Sequence, residues 1–174
     1  MSACPKLATE LTLDEAYGIL LPFFAVARER FIAAGFTLLR KVEFFVAPEI
    51  HDSPRHFAAC AETGKKILCA PELIELPSPY VVGILFHECG HAADFLYPGE
   101  FALGRSGVIR RQRDAVSEGQ WVRWQKSWST RDADVVEQTA DRIAESVHGE
   151  PIGYAGPCLL QNFRTGEARP QGLR

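Results

Sequence analysis

The chain has no CxxC pair, no internal repeat and no low-complexity tract. Its five cysteines, Cys4, Cys60, Cys69, Cys89 and Cys158, are odd in number and widely scattered. That pattern argues against a disulfide framework and against a zinc ribbon, and it points to a reducing compartment. An excess of one charge is missing too: the formal net charge is -3 and the pI is near 6.0. Nothing global therefore calls for a nucleic acid or an anionic membrane as partner. Long hydrophobic runs are also absent. The stretch ILLPFFAVA at 19–27 imitates a short signal core with a small-x-small end, but Glu10, Asp14 and Glu15 precede it with only Lys6 as a basic residue. Arg28, Glu29 and Arg30 then stop it well short of the ~20 residues that a bilayer crossing needs. The expected location is cytoplasmic, with no membrane partner.

With 174 residues, 47% hydrophobic and 24% charged, the chain has material for one core. A single domain over 1–174 is expected, with flexible ends at 1–11 and 165–174. Thr12 and Glu15 form a capping box ahead of an amphipathic segment in which Tyr17, Leu20, Phe24, Ala27 and Phe31 recur three to four apart until Gly35. Pro22 should kink or split that helix. TLLRKVEFFVAP at 37–48 reads as a strand, and 56–71 as two short strands around a Glu62-Thr63-Gly64-Lys65 turn. Ser78 with Pro79 predicts a helix start, and the apolar run that follows carries this helix to about Leu96. A further helix is expected from about Asp132 to a stop at Gly149. Helix, strands, helix and further helices make an α+β order.

The sequence FHECGHAADF, residues 86 to 95, falls within the helix expected from Ser78 to about Leu96. Residues four apart on a helix share a face, so His87 and His91 can aim their imidazoles at one ion. Glu88, about 100° round the helix, can reach a water on that ion without binding the ion. Such a match arises by chance roughly once in a hundred chains of this length and composition. The alternative is two surface histidines on an amphipathic helix. A catalytic zinc asks for a third protein ligand. Asp94 shares the face of His87 but lies seven residues on, about 10.5 Å along the axis, too far for bonds near 2 Å. It is expected to hydrogen-bond behind the site or to cap the helix. In VVEQTADRIAESVHG, residues 135 to 149, the apolar stripe of Val136, Ala140, Ile143 and Val147 is flanked by Glu137 and Asp141, four apart. Two carboxylates bordering a buried face are costly unless satisfied, and a metal with its ligand histidine would satisfy them. An exposed acidic edge beside Arg142 is the other reading.

Together, HECGH and the downstream E-x-x-A-D helix resemble the gluzincin metallopeptidases, the thermolysin-like branch of the zincins. The resemblance covers residues 78–96 and about 132–148, roughly one fifth of the chain. It implies a zincin-like fold: an N-terminal helix, a small β-sheet with a hairpin, a central active-site helix, and a C-terminal helical part that supplies the third zinc ligand. It further implies His87, His91 and Glu137 as ligands of Zn2+, Glu88 as general base, and Asp141 as support for a histidine. The metzincin branch needs Gly and then His or Asp after the second ligand, and Asp94 and Tyr97 break that pattern here. The activity implied is hydrolysis of a peptide bond in a protein or peptide substrate, with Glu88 taking a proton from a zinc-acidified water and delivering it to the departing amine. Substrates of the family lie extended along an edge strand, for which Lys66 to Ala70 is the candidate. Tyr154 and His148 are the candidates for stabilising the oxyanion, although His148 lies eleven residues, about 16 Å, beyond Glu137 on its helix.

Two other readings compete with the peptidase. One is a zincin-shaped zinc-binding protein that acts by docking a partner, though an intact Glu88 argues against it. The other is a peptidase recruited to nucleic-acid-bound proteins. Its basis is the basic stretch 105–131, where Arg105, Arg110, Arg111, Arg113, Arg123, Lys126 and Arg131 interleave with three tryptophans. Trp121, Trp124 and Trp128 follow the i, i+3, i+7 spacing of a face turned to a core, so packing is the favoured account. Cys89, about 200° from His87, is expected to be a buried thiol, and His51 and His56 to be surface residues.

Overall fold

The computed structural model of the chain describes residues 8–48, 58–61, 64–97, 133–149 and 152. The basic tryptophan stretch, Tyr154, His51, His56, Cys4 and Cys158 lie outside the described residues. Among the described residues the architecture is α+β: three α-helices, α1 (Leu13–Ala33), α2 (Ser78–Leu96) and α3 (Ala133–His148), and a sheet of β1 (Glu43–Val46), β2 (Ala58–Ala61) and β3 (Lys66–Cys69). Among the described residues no helix is long and apolar enough to cross a membrane.

α1 starts where the capping box places it. Glu15 N donates to Thr12 Oγ1 at 3.2 Å, and Thr12 N donates to Glu15 Oε2 at 2.9 Å, satisfying two amides that the first turn leaves open. Gly35, at φ 94°, ends the turn after it. Ala16, Leu20, Phe24, Ala27 and Phe31 form the buried stripe. Tyr17 is instead exposed, its ring 5.7 Å from that of Phe44. Pro22 does not split the helix: both Pro22 and Gly18, whose carbonyl loses its N–H partner, are exposed, so water can take that carbonyl. The chain is anchored from Ala8 rather than from Thr12, because Ala8 is buried and its N–H donates to Glu75 Oε1 at 3.2 Å.

The strand expected over 37–48 is only half strand. Thr37–Lys41 coil into a 3-10 turn and the extended part is Glu43–Val46. Tertiary contacts override the β-branched composition there: the Tyr97 hydroxyl accepts from Leu38 N at 2.7 Å, and Leu39 is wholly buried. The hairpin β2–β3 is present, pairing Cys60 with Ile67 and Ala58 with Cys69. The candidate edge strand, however, is the centre of the sheet. β1 pairs parallel to β3 on one side while β2 pairs antiparallel on the other, giving the order β1-β3-β2. Among the described residues the edges are β1 and β2, and the backbone groups of Lys66–Cys69 are already used in the sheet.

α2 is the axis of the molecule. Phe86 packs against Phe31 of α1 at 6.0 Å between ring centroids, β2 and β3 lie on a second side, and α3 on a third. Its helical start lacks the expected Ser78 cap. Pro77 occupies the cap position and its carbonyl accepts from Tyr80 N at 2.9 Å, with no side-chain bond. From Gly83 to Phe95 every residue of α2 is buried, so the helix is apolar all round except for the polar residues of the quoted motif. Each large apolar side chain removed from water here contributes about 1.5–3 kcal/mol.

The hairpin turn is pressed onto α2 at Gly64, which sits at φ 82°. A Cβ there would lie 2.8 Å from Phe95 Cβ and 3.1 Å from the Ala92 carbonyl oxygen. Gly64→Ala is expected to lower stability by about 1–3 kcal/mol through combined backbone strain and overlap. Thermal unfolding followed by circular dichroism reads this out, and an unchanged midpoint would mean that the turn does not bear on α2.

Candidate metal centre

α2 and α3 meet at Gly90 and Ala140. A Cβ built on Gly90 would overlap the Ala140 carbonyl oxygen outright and lie 3.2 Å from Ala140 Cα. Glycine in a helix interior costs about 1 kcal/mol relative to alanine. Here its lack of a side chain lets one backbone rest on the other. This residue was not singled out from the sequence, although a glycine inside a well-formed helix pattern is itself a packing signal.

The approach brings the motif residues together. His87 and His91 have ring centroids 4.6 Å apart at 85°. Glu137 Oε2 is 2.9 Å from His87 Nε2, and Glu137 Oε1 is 3.4 Å from His91 Nε2. Donor atoms of the three residues all lie within 4.8 Å of one another. Bonds of about 2.0–2.1 Å at tetrahedral angles put ligand atoms roughly 3.3 Å apart, and the two measured separations straddle that spacing. Two imidazole nitrogens and a carboxylate oxygen form a donor set that suits a divalent transition ion and is a poor match to the all-oxygen shell of calcium or magnesium. The group could hold a metal ion.

Behind His87, Nδ1 donates to Asp141 Oδ1 at 2.7 Å, which turns Nε2 toward Glu137. His91 has no such support: its Nδ1 is buried and meets no hydrogen-bond partner among the described residues. The two histidines are not on a surface face, being 1% and 8% exposed. Nor is Glu137 an idle acidic edge, because its side chain, though 49% exposed, contacts both imidazoles. Glu88 is 5% exposed, and its charge reaches His87 on one side and the thiols of Cys60 and Cys69 on the other. Asp94 is wholly buried on α2 and is not among the converging donors. His148 is away from the site, its ring 4.8 Å from Phe86 and its carbonyl accepting from Arg30 Nη2 at 3.0 Å. That places it at the C-terminus of α3 with the α1 contact. Cys89 is wholly buried, and burial followed by the charge of Glu88 pushes its thiol far above the ordinary value of 9.0.

The electrostatics of the cluster are set by its carboxylates. Burial alone would lower the pKa of His87, but the bonds to Asp141 and Glu137 and the charge of Glu88 outweigh it and raise the value from 6.5 to about 10. Glu137 moves the other way: burial would raise it, while the bonds to His87 and His91 hold it well below the usual carboxylate range.

Two outcomes follow from this geometry. A metal ligand must be a neutral imidazole, so uptake of a divalent metal ion at pH 7 should release a proton from His87, and affinity should rise as the pH is raised above neutral. Calorimetric titration in buffers of different ionisation enthalpy measures that proton, and a heat independent of buffer would show His87 already neutral. Gly90→Ala should push α3 off α2 and weaken metal-ion affinity at least ~10-fold, with α1 and the sheet intact. Competition with a fluorescent chelator is the readout, and wild-type affinity in this variant would show that the helix contact does not set the donor spacing.

No protein-family model, no curated protein and no solved structure matches this chain. What the geometry establishes is a His87, His91 and Glu137 group able to hold a metal ion, on an α+β scaffold.

Proposed function

We propose that the protein is a zinc metallopeptidase of gluzincin type that hydrolyses peptide bonds in a protein or peptide substrate in the cytoplasm. The observation carrying this reading is the arrangement of five residues on two helices: Glu137 facing both Nε2 atoms, Asp141 behind His87, and Glu88 buried beside them. When bound, the zinc ion supplies Lewis acidity, which acidifies a water and polarises a carbonyl. His87, His91 and Glu137 hold the ion, and Asp141 fixes the ring of His87. Glu88 is the general base: it takes the proton of the attacking water and passes it to the leaving amine. The buried position of Glu88 supports this role, since a carboxylate kept from water without a task is a cost the fold has no reason to carry.

The substrate would lie against an edge of the sheet, and the order β1-β3-β2 moves the candidate from β3 to β2. β2 is the edge strand that packs on α2. An extended peptide could add to it through main-chain hydrogen bonds, passing over the helix that carries the histidines. The side chains of Ala58–Ala61 are small. The docking alternative keeps the metal but gives Glu88 nothing to do, which makes it the weaker reading.

Glu88→Gln should bind one equivalent of zinc, as measured by elemental analysis, while its cleavage of a peptide library falls by about 10²–10⁴-fold. Glu137→Ala should lose the metal. A Glu88→Gln variant as active as the parent would remove Glu88 from the base role, and a fully zinc-loaded Glu137→Ala variant would mean that the third ligand lies elsewhere. Parent protein that holds zinc but cuts nothing in the library would favour the docking reading.

A further inference from the structure

A cavity of about 350 Å³ opens where β1 and β3 begin and α2 ends. It shares no residue with the metal centre. Its floor is apolar, made by Val42, the backbone at Gly64 and Leu96, while Lys41, Lys65 and Lys66 stand round it against one carboxylate, Glu43. The walls are fixed before any ligand arrives. Glu43 N donates to the Lys65 carbonyl at 2.9 Å, Val42 N to the Leu39 carbonyl at 3.1 Å, and Gly64 is seated on Ala92 and Phe95 of α2. Small-molecule sites are cavities of this size, mostly apolar, with a few placed polar groups. Lysines near the carbonyl ends of a helix can also serve to balance its dipole. That role requires no apolar floor, and it does not account for the cavity. Lys66 has its ammonium 5.6 Å from the Phe45 ring centroid, whereas Lys41 and Lys65 are exposed at the rim.

We infer that this cavity binds a small organic anion built from an apolar body and one carboxylate. The body rests on Val42 and Leu96, and the carboxylate meets Lys41 and Lys65. Such a group occurs in free small carboxylic acids and at the end of a peptide whose last residue is apolar; both present the same chemistry. The inference is independent of the metal centre and of the peptidase reading.

The test is amide NMR on the full chain labelled with ¹⁵N, titrated with 1-naphthylacetate. Saturable shifts are expected at residues 41–43, 64–66 and 96. The neutral isostere 1-naphthylacetamide should bind about five-fold more weakly. In the double variant Lys41→Gln, Lys65→Gln the carboxylate should bind no better than the amide, while the amide binds as before. Both lysines are exposed, so the variant is expected to fold, and its spectrum reports that directly. Comparing a peptide that ends in Ala-Leu with acetyl-leucine then assigns the natural source: tighter binding of the peptide points to a chain end, tighter binding of acetyl-leucine to a free acid. Shifts at other residues only, no saturation, or equal affinity for the carboxylate and the amide would overturn the inference.

Discussion

The site depends on one contact, the backbone of Gly90 against that of Ala140. His87 and His91 stand three before and one after Gly90, and Glu137 and Asp141 stand three before and one after Ala140. On each helix those two positions are one turn apart and on the same side of the crossing point. Setting Gly90 on Ala140 therefore sets an imidazole pair against a carboxylate pair in a single step. A side chain at Gly90 would move all four groups apart together, whatever their own rotamers. The fold spends its effort on this crossing: α1 and the sheet press on the other sides of α2 through Phe31, Phe86 and the hairpin turn at Gly64.

The polar residues at that crossing would otherwise weaken the molecule. α2 buries His87, Glu88, His91 and Asp94 on a helix that is otherwise apolar there, and burying a charge is costly unless it is paired. Part of the cost is offset by the carboxylates that α3 brings, which is why His87 keeps its proton to a high pH and Glu137 gives its own up so readily. The offset is uneven. His87 meets both Asp141 and Glu137, whereas among the described residues the carboxylate that His91 meets is Glu137, at 3.4 Å. A divalent ion among the three residues would give His91 a stronger partner than the carboxylate does, and it would replace the proton on His87 by a larger charge.

Much of this could be read from the residues, and the reasons for the rest are physical. The capping box at Thr12, the glycine stops at Gly35 and Gly149 and the hairpin at 58–69 are local signals, and local signals are legible in a sequence. The four-residue spacings in HECGH and EQTAD were legible too, because periodicity states which side chains share a face. Partners across the molecule were not. The 3-10 turn at Thr37–Lys41 arises from the Tyr97 hydroxyl, sixty positions away, and nothing near Thr37 announces it. β3 became the central strand because β1 pairs with it from a distance in the chain, so hairpin geometry alone could not tell centre from edge. Gly90 was in plain view, but what it touches was not.

The thiols near the site are poorly suited to bind a metal. Cys89 lies inside the motif itself, and Cys60 and Cys69 line the sheet beside α2. A thiol binds a metal as the thiolate. Burial opposes that charge at all three cysteines, and the nearby charge of Glu88 opposes it further, so each is held well above its ordinary value. Burial also acts against the charged form of His87, but there the bonds to Asp141 and Glu137 outweigh it and keep the imidazole protonated, and a bound metal ion would displace that proton. Glu88 thus has two effects in one position: it discourages thiolates on the sheet side of α2 and stands beside the histidines on the other. A metal ion held by this group would lie on the side where α3 supplies Glu137, whose carboxylate is half-exposed.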